Sequence, residues 1–349
     1  MDPRPGHPEV LALDPVRPDP ELLAAVAGRM AAGSLVAFPT ETVYGLGARI
    51  DRPAALDRIF AVKGRPATDP LIVHVASIDA LDGIVARVPD RLTALARAFW
   101  PGPLTVVLDR GPLIRDSITA GGATVAVRVP AHPVAAGLIR AVGTGVAAPS
   151  ANRFGRISPT RAADVVDELA DRLAPGDVVV DGGPTPLGIE STVVDLTGPR
   201  PTVLRHGGVS VEDLVEVLDT LDAPERRTVD DGSASPAPGG LLRHYAPATP
   251  LVLVDGDRRR VEELAVALAE RSVPARSLDL PADPAAAAAV LYRTLREADG
   301  TASVLLAAVV APEGVGRGVN DRLFRAAHGR VVTDSSPGTV DRLVALARA

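Results

Sequence analysis

The chain has 349 residues, of which 46% are hydrophobic and 23% are charged, and its formal net charge is −6. These values are typical of a globular protein with two domains, and the negative charge disfavours a protein that grips long nucleic acid. The lack of cysteine excludes disulfides, thiolate metal sites and thiol nucleophiles. Without an apolar run long enough to span a bilayer or a signal-peptide pattern, we expect a cytoplasmic protein with no membrane partner.

The first part of the sequence predicts an α/β domain over residues 19–221. Residues 1–18 are rich in proline and are predicted to form a loose N-terminal arm. Beyond them, short apolar strands alternate with helices that often start at proline, which is typical of a twisted sheet covered by helices. Strands are predicted at 35–38, 71–75, 104–108, 124–129, 145–148, 177–180, 191–196 and 202–204, and helices at 19–32, 53–62, 89–99, 133–142, 161–173 and 211–221.

A second α/β pattern follows an aperiodic stretch. Residues 222–250 are predicted to be a linker, and the polar cluster RHYAP (243–247) near its end is unusual for a plain spacer. Residues 251–349 then predict a smaller C-terminal domain with a parallel sheet. Its strands are predicted at 251–254, 276–280 and 303–309, and its helices at 258–271, 284–298, 318–327 and 339–349.

The common enzyme signatures are absent, and polar clusters at strand ends remain. The sequence has no GxxxxGK[ST], GxSxG or HExxH motif and no Cys/His metal set. Because ligands of α/β sheets bind where loops leave the strand ends, we expect a site for an anion such as a polyphosphate there. The clusters are FPTETVYGLG (38–47), KGRP (63–66), PSAN (149–152), GIEST (188–192) and LRHGG (204–208), with His74 and Arg128 inside strands.

Lys63 stands out because it is the only lysine among the 37 Lys and Arg residues. Lysine is a compact point charge on a flexible stem, whereas arginine presents a flat fork of five donors. The position could therefore require a mobile ammonium, although a surface lysine kept by chance is an open alternative.

Each of the other clusters also has an ordinary structural interpretation. The PTET segment can form a helix cap and turn, and the SAN segment can form a capping turn. His74 can be a core histidine and Arg128 an edge-strand charge. The joint presence of these groups in one domain, rather than any one of them, favours a functional site.

Taken together, these segments resemble the L-threonylcarbamoyladenylate synthase family, whose catalytic unit is a YrdC-like domain. The RHYAP cluster and the second α/β domain resemble the longer, two-domain form of that family. The resemblance implies a YrdC-like twisted open mixed sheet with helices, followed by a smaller Rossmann-like α/β domain. The matching stretches are FPTETVYGLGA, KGRPATDPLIVHV, FWPGPLTVVL, VAVRVPAHPVA, PSANRFGRISPT, GIESTVVDL and LRHGG.

The resemblance implies a nucleotidyltransferase reaction. ATP, L-threonine and bicarbonate give threonylcarbamoyl-adenylate and pyrophosphate, and a downstream transferase complex moves the threonylcarbamoyl group to the adenosine next to the anticodon of tRNA. The reaction needs no protein nucleophile, since positioning and charge neutralisation can drive it. A Mg²⁺ ion carried by ATP is expected, with no protein metal site.

The resemblance also implies roles for individual residues. Lys63 and Arg65 are expected to be the catalytic, phosphate-binding pair, and Tyr245 a lid residue over ATP. The expected ATP-binding residues are Arg65, Asp69, Thr124, Ser150, Asn152, Ser158, Arg205 and Tyr245. The expected threonine-binding residues are Thr42, His74, Arg128 and Ser191, with backbone groups near Ala148.

Two positions depart from the family pattern. The family usually has Asn where Asp69 stands, and an anionic Asp would repel a polyphosphate, so Asp69 could instead face metal, water or Arg65. Leu241 and Leu242 stand where the family's linker commonly carries a Met-Lys pair, which suggests that lid closure relies on apolar contact.

Two alternative functions remain open on the sequence alone. One is a carbamoyl-adenylating enzyme of the same domain type, although such enzymes usually carry zinc-finger and acylphosphatase regions. The other is a non-enzymatic RNA-binding module, which the net charge of −6 disfavours.

Overall fold

The computed structural model describes residues 8–224 and 244–348, and within them the chain divides into two compact units. Unit 1 comprises residues 8–154 and 158–224, and unit 2 comprises residues 155–157 and 244–348. Most of the expected linker, including Leu241, Leu242 and the Arg of the RHYAP cluster, lies outside the described residues. In the described ranges, the structure contains no helix of the length and apolarity that a membrane span requires.

The strands of unit 1 form one mixed sheet, whose order among the described residues is β1-β8-β2-β3-β7-β4-β6-β5-β9-β10. The pairs β4–β6 and β5–β9 are parallel, whereas β2–β3 and β5–β6 are antiparallel. This mixed arrangement confirms the expected fold class. The strands are β1 (Glu9–Ala12), β2 (Val36–Pro39), β3 (Tyr44–Arg49), β4 (Ile72–His74), β5 (Leu104–Asp109), β6 (Thr124–Arg128), β7 (Val146–Ala147), β8 (Val178–Asp181), β9 (Thr192–Asp195) and β10 (Thr202–Arg205).

The helices of unit 1 start where the sequence supplies a proline or a cap. Proline occupies the first turn of α1, α2 and α5, where its missing N–H is not needed. The carboxylate of Asp19 caps α1 by accepting from the N–H of Glu21 at 2.8 Å. The helices are α1 (Pro20–Ala31), α2 (Pro53–Lys63), α3 (Asp90–Phe99), α4 (Asp116–Thr119), α5 (Pro133–Val142), α6 (Ala162–Leu169) and α7 (Val211–Val217), with a 3-10 helix at Ile78–Leu81.

The two faces of the unit 1 sheet are covered differently, and this difference positions the site. One face packs against α2, α3 and α6 and includes Val73, Val127 and Val194. On the opposite face, α1 and α5 cover the part of the sheet around β2 and β8. The rest of that opposite face carries a small apolar cluster of Ile72, Val107, Ala126, Val193 and Leu204. Since side chains alternate along a strand, polar residues two positions from this cluster share its face.

Unit 2 has the predicted parallel sheet, with strand order β12-β13-β11-β14 among its described residues. Its buried core includes Val252, Leu264, Leu306 and Val340. The strands are β11 (Leu251–Val254), β12 (Ala275–Ser277), β13 (Val304–Ala308) and β14 (Val331–Val332), and the helices are α8 (Arg258–Glu270), α9 (Pro284–Ala298), α10 (Gly316–Ala326) and α11 (Pro337–Arg348).

The structure corrects the expected loose arm over residues 1–18. Residues 9–12 form β1, which pairs in parallel with β8 with Glu9 opposite Val178. A four-residue strand beside several prolines is too short to show periodicity, so the sequence pattern did not predict it. The structure also adds β3 and β14, for which the sequence predicted no strand.

Candidate functional site

The end of helix α2 places two of the predicted site cations. Gly64 adopts a left-handed conformation with φ of 63°, and its N–H and that of Arg65 return to the carbonyls of Ala61 and Phe60. A residue with a Cβ is strained in this conformation, so glycine suits the stop. The helix therefore ends directly after Lys63, and the chain turns sharply into the Arg65 loop.

Lys63 is buried, with 2% of its surface exposed, and its ammonium is bound to backbone carbonyls. Nζ donates to Ser150 O at 2.6 Å and to Asn152 O at 2.5 Å. Burial lowers the pKa of Lys63 well below its usual value, and the charge of Arg65 lowers it further, while two nearby carboxylates act in the opposite direction. An ammonium has three donors, so within the described part of the chain one donor remains for a ligand.

Arg65 forms a buried ion pair with Asp69, whose carboxylate lies 3.0 Å from the guanidinium. The same guanidinium donates to the carbonyls of Asp69 at 3.0 Å and Pro70 at 2.7 Å. Of the options that the sequence left open for Asp69, the structure shows contact with Arg65. This pairing fixes the direction of the guanidinium, and an ATP-binding role for Asp69 stays a prediction.

Residues 150–158 include three of the expected ATP-binding residues, and we call them the nucleotide loop after that expectation. The loop contacts the β2–β3 hairpin and α2. Ser150 forms a bridge with Gly45, and the N–H of Phe154 donates to the carbonyl of Lys63 at 2.8 Å. At the far end of the loop, the buried hydroxyl of Ser158 donates to the carboxylate of Glu190 at 2.6 Å. The loop thus joins the Lys63 region to the segment that precedes β9.

The segment before β9 and the end of β10 meet through Ser191. Arg205 donates to the carbonyl of Ser191 and to its hydroxyl, both at 3.1 Å. The same hydroxyl lies 2.8 Å from that of Thr105 on β5. The predicted ATP contact Arg205 and the predicted threonine contact Ser191 are therefore direct neighbours.

Gly207 explains why the chain can approach Ser191 so closely. A Cβ at this position would lie 2.3 Å from Glu190 O, 2.5 Å from the Ser191 carbonyl carbon and 2.5 Å from Thr192 N. These are backbone atoms that cannot move aside, so a larger residue would push the RHGG turn away. The glycine thus allows Arg205 to reach Ser191.

Arg128 is held by groups from three directions. It lies 2.7 Å from the carboxylate of Glu41 and donates to Thr42 Oγ1 at 3.0 Å and to Gly102 O at 3.2 Å. The second oxygen of Glu41 accepts from the N–H of Ala131 at 3.1 Å. The buried guanidinium therefore has a fixed orientation beside Thr42.

His74 lies opposite Arg128 in the β4–β6 register, on the face of the sheet that α2 and α3 leave uncovered. Burial, together with the charge of Arg128, lowers its pKa to about 3, so the ring is neutral at physiological pH. Its Nδ1 has no hydrogen-bond partner among the described residues. A buried ring nitrogen without a partner is costly, so this atom favours a ligand at the same place.

Comparisons with known proteins identify the family of this chain. The family described as telomere recombination, the Sua5–YciO–YrdC family, matches residues 29–207, and the family described as threonylcarbamoyl-AMP synthase, C-terminal domain, matches residues 209–328. The threonylcarbamoyl-AMP synthase of Pyrococcus abyssi is 40% identical over 325 residues, which cover 88% of this chain and 94% of the relative. The enzyme of the same name from Bacillus subtilis is 38% identical over 90% of this chain and 95% of its own length.

This chain belongs to the threonylcarbamoyl-AMP synthase family. The resemblance stated from the sequence is thereby confirmed. The crystal structure of P. abyssi Sua5 complexed with L-threonine superposes with a TM-score of 0.87 at 37% identity, covering 93% of this chain and 99% of that one. A second structure, of a P. abyssi Sua5 variant with an adjacent histidine and tyrosine both replaced by alanine, superposes with a TM-score of 0.86 at 36% identity, covering 93% of this chain and 98% of that one.

Two residues expected from the family resemblance lie apart from the contacts above. Thr124 starts β6 on the same face as Arg128, four residues and about 13 Å along the strand. Tyr245 belongs to unit 2, where the centre of its buried ring lies 5.7 Å from the centre of the Tyr292 ring. The guanidinium of Arg322 lies 5.4 Å from the centre of the Tyr245 ring. The ATP-binding roles of Thr124 and Tyr245 stay predictions.

Sequence reasoning missed three residues that orient the site of this family member. Glu41 holds Arg128, Glu190 accepts from Ser158, and Thr105 contacts Ser191. The two glutamates stand inside the PTET and GIEST clusters, so a carboxylate between hydroxyl residues was an available signal. A threonine in the otherwise apolar strand LTVVL was the corresponding signal for Thr105.

Proposed function

We infer that this chain is a threonylcarbamoyl-AMP synthase, which converts ATP, L-threonine and bicarbonate into threonylcarbamoyl-AMP and pyrophosphate. The product supplies the threonylcarbamoyl group for the adenosine next to the anticodon of tRNA. One observation carries this inference: cations and hydroxyls from distant segments of unit 1 lie together around Lys63, Ser191 and Arg128. Relatives named threonylcarbamoyl-AMP synthase match this chain along most of its length.

The reaction needs positioned charges rather than a protein nucleophile. The amine of threonine and bicarbonate form a carbamate and release water. A carbamate oxygen then attacks the α-phosphorus of ATP, and the bond to pyrophosphate breaks. Preorganised cations and hydrogen-bond donors stabilise the charge that develops on the phosphates, and holding the two reactants together supplies much of the rate enhancement.

On the phosphate side, we assign Lys63 and Arg65 to the triphosphate and the departing pyrophosphate. Burial disfavours the charged form of Lys63 by lowering its pKa, and a polyphosphate next to the amine would favour the charged ammonium. Asp69 serves this pair by orienting Arg65. The remaining residues assigned to ATP are Thr124, Ser150, Asn152, Ser158 and Arg205.

On the threonine side, we assign the carboxylate of the substrate to Arg128 and its polar groups to the neighbouring side chains. Arg128 and Thr42 are already joined at 3.0 Å, and the unpartnered nitrogen of His74 lies on the same face. Ser191 adds a hydroxyl, and the backbone near Ala148 adjoins β4, since the Ala148 N–H donates to Ile72 O at 3.0 Å. The L-threonine complex of P. abyssi Sua5 supports threonine as a ligand of this fold.

We propose that Mg²⁺ enters with ATP as part of the substrate. Residues 8–224 and 244–348 contain no group of three His, Asp or Glu side chains arranged to hold a metal ion. Mg²⁺ is commonly bound through phosphate oxygens and water with one or two carboxylates, so the donor set here fits an ion brought by the nucleotide. Removal of divalent ions should stop pyrophosphate release, and added Mg²⁺ should restore it.

Tyr245 is proposed to contact ATP as part of a lid. Its support is the resemblance of the RHYAP cluster (243–247) to the linker of the longer, two-domain form of the family. We further propose that the enzyme works in the cytoplasm, where ATP and tRNA are found, and passes its product to a transferase complex.

Product analysis with bicarbonate labelled isotopically on its oxygens tests this function. The product should carry two labelled oxygens, since the carbamate keeps two of the three bicarbonate oxygens, and pyrophosphate should carry none. Label in pyrophosphate, or a product without label, would contradict carbamate attack on the α-phosphorus.

Replacing threonine and bicarbonate by carbamoyl phosphate distinguishes the carbamoyl-adenylating alternative. Turnover with carbamoyl phosphate alone would favour that enzyme. Tight, salt-sensitive RNA binding without ATP turnover would instead favour the RNA-binding module.

A further inference from the structure

The middle of the nucleotide loop belongs to unit 2, although the loop begins and ends in unit 1. Residues 155–157 cluster with residues 244–348. Just before them, Phe154 is bonded to Lys63 at 2.8 Å, and just after them, Ser158 is bonded to Glu190 at 2.6 Å. Because Phe154 and Ser158 are both held, the three residues between them have little conformational freedom. Groups that bind residues 155–157 therefore also affect the positions of Phe154 and Ser158.

Two contacts within unit 2 hold the backbone of this segment. The N–H of Ala246 donates to Gly155 O at 2.9 Å, next to the residue that carries the predicted lid side chain. Nη2 of Arg296, on helix α9, donates to Ile157 O at 2.5 Å. Because Ile157 directly precedes Ser158, Arg296 acts one residue away from a proposed ATP contact.

A third contact comes from the carboxylate of Asp299, the residue after α9. It lies 3.4 Å from the guanidinium of Arg156, and it accepts from the N–H of Ala248 at 2.9 Å and of Thr249 at 2.8 Å. Burial raises the pKa of Asp299, but these hydrogen bonds together lower it below its usual value, so the carboxylate is charged at neutral pH. One carboxylate therefore holds both the nucleotide loop and the segment that follows Tyr245.

We propose that Arg296 and Asp299 are positioning residues for ATP: by holding residues 155–157, they fix the segment that directly precedes the proposed ATP contact Ser158. We call this pair and its contacts the α9 clamp. The inference rests on the proposed function. The clamp residues are assigned no contact with ATP or threonine, so they act through the placement of Ser158.

Loss of the clamp should weaken ATP use selectively. Without it, the nucleotide loop gains conformations that must be ordered again when ATP binds. We expect the KM for ATP to rise about tenfold in Asp299→Asn and in Arg296→Met, since small misplacements of positioning groups have effects of this size or larger. The KM for threonine should change less than about twofold, because the clamp contacts described here do not involve the Arg128 region.

Helix α9 provides matched controls. Arg293 and Glu297 form an exposed pair at 3.9 Å on the same helix. Arg293→Met and Glu297→Gln make the same charge changes as the clamp variants, but outside the clamp. Pyrophosphate release by the full chain, measured at varied ATP and at varied threonine, should match that of the wild-type enzyme in both controls.

A second variant changes the loop side of the clamp. It tests the proposal even if the substitutions in or next to α9 prevent folding. Arg156→Met removes the partner of Asp299 without changing the helix. Its effect on the KM for ATP should be about threefold to tenfold, and it should not add to that of Asp299→Asn, since both break the same contact. Full additivity would overturn the proposal.

Direct measurement of ATP binding by calorimetry separates the clamp from the proposed function. Wild-type protein without threonine-dependent pyrophosphate release would refute the proposed function, while weaker ATP binding in Asp299→Asn than in Glu297→Gln would still support the clamp. Equal losses for ATP and threonine, or clamp variants that behave like their controls, would overturn the clamp in an active enzyme.

Discussion

The Lys63 and Arg128 regions of unit 1 both contain a buried cation, but they hold it in different ways. Lys63 donates to two backbone carbonyls at 2.6 and 2.5 Å. Arg128 pairs with the carboxylate of Glu41 at 2.7 Å and donates to Thr42. The ammonium is therefore bound to neutral groups, whereas the guanidinium is bound to a full negative charge.

This difference suits the two proposed substrates. A cation among carbonyls is available to a polyphosphate, and its flexible stem can follow oxygens that move as pyrophosphate leaves. A guanidinium already paired with a carboxylate is rigid, so it serves recognition of a small amino acid by geometry more than by added charge. The comparison predicts that changes near Lys63 affect turnover and that changes near Arg128 affect threonine use.

Replacement of Lys63 should have the largest effect. Lys63→Met should lower kcat for pyrophosphate release by about 10² to 10³, the range seen when one preorganised transition-state donor is lost. Lys63→Arg should also lower kcat by at least about tenfold, because the larger planar group does not fit a site that is 2% exposed and lined by two carbonyls. Wild-type rates in Lys63→Arg would contradict the requirement for an ammonium.

Glu41→Gln should have the next largest effect. Among the two substrates, it should impair the use of threonine and not that of ATP. The change removes the charged partner of a buried guanidinium, which costs about 3 kcal/mol of stability when such a pair is broken. Thermal denaturation should show this loss, and the KM for threonine should rise about tenfold with little change for ATP. An equal rise for ATP would remove the distinction between the two regions.

Ser191→Ala should have a smaller effect, again mainly on the KM for threonine. The hydroxyl contacts Thr105 at 2.8 Å and Arg205 at 3.1 Å, so its loss should raise the KM for threonine about fivefold and that for ATP about twofold. Thr105→Val, which removes only the neighbouring hydroxyl, is the control and should change both values less. Equal losses for both substrates in Ser191→Ala would argue against its assignment to threonine.

His74 predicts a pH dependence that sharpens the comparison further. Its folded pKa of about 3 lies below the usual value of 6.5, so between these values the unfolded chain binds one proton more than the folded chain. The contribution to stability is present above pH 6.5 and is lost as the pH falls towards 3, with a slope of up to about 1.4 kcal/mol per pH unit. Chemical denaturation from pH 4 to 6.5 should show a shallower slope in His74→Gln; an unchanged slope would mean that His74 titrates normally.

The positions of most helices and strands along the chain could be predicted because their signals are local, whereas the order of the strands in the sheet was not predicted. Proline marks the starts of α2, α5 and α9, and short apolar runs mark β5 and β6. Strand β3 was missed because its YGLGAR sequence contains two glycines, which are poor strand formers, and β1 was missed because it has four residues.

The site was predictable as a set of segments and not as a set of contacts. The contacts of Lys63 join residues 87 and 89 positions apart, and the pair of Ser158 and Glu190 is 32 positions apart. No periodicity carries information over such separations. The family resemblance selected the polar residues, but the role of Glu41 as the partner of Arg128 follows only from the fold.

Pyrophosphate release from ATP, measured with and without threonine and bicarbonate, tests the shared site most directly. We expect release that requires both co-substrates and that falls by the full amount when either is omitted, because the attacking carbamate forms from the two together. Release from ATP alone at the same rate, or none with all three substrates present, would contradict a site in which ATP and threonine react side by side.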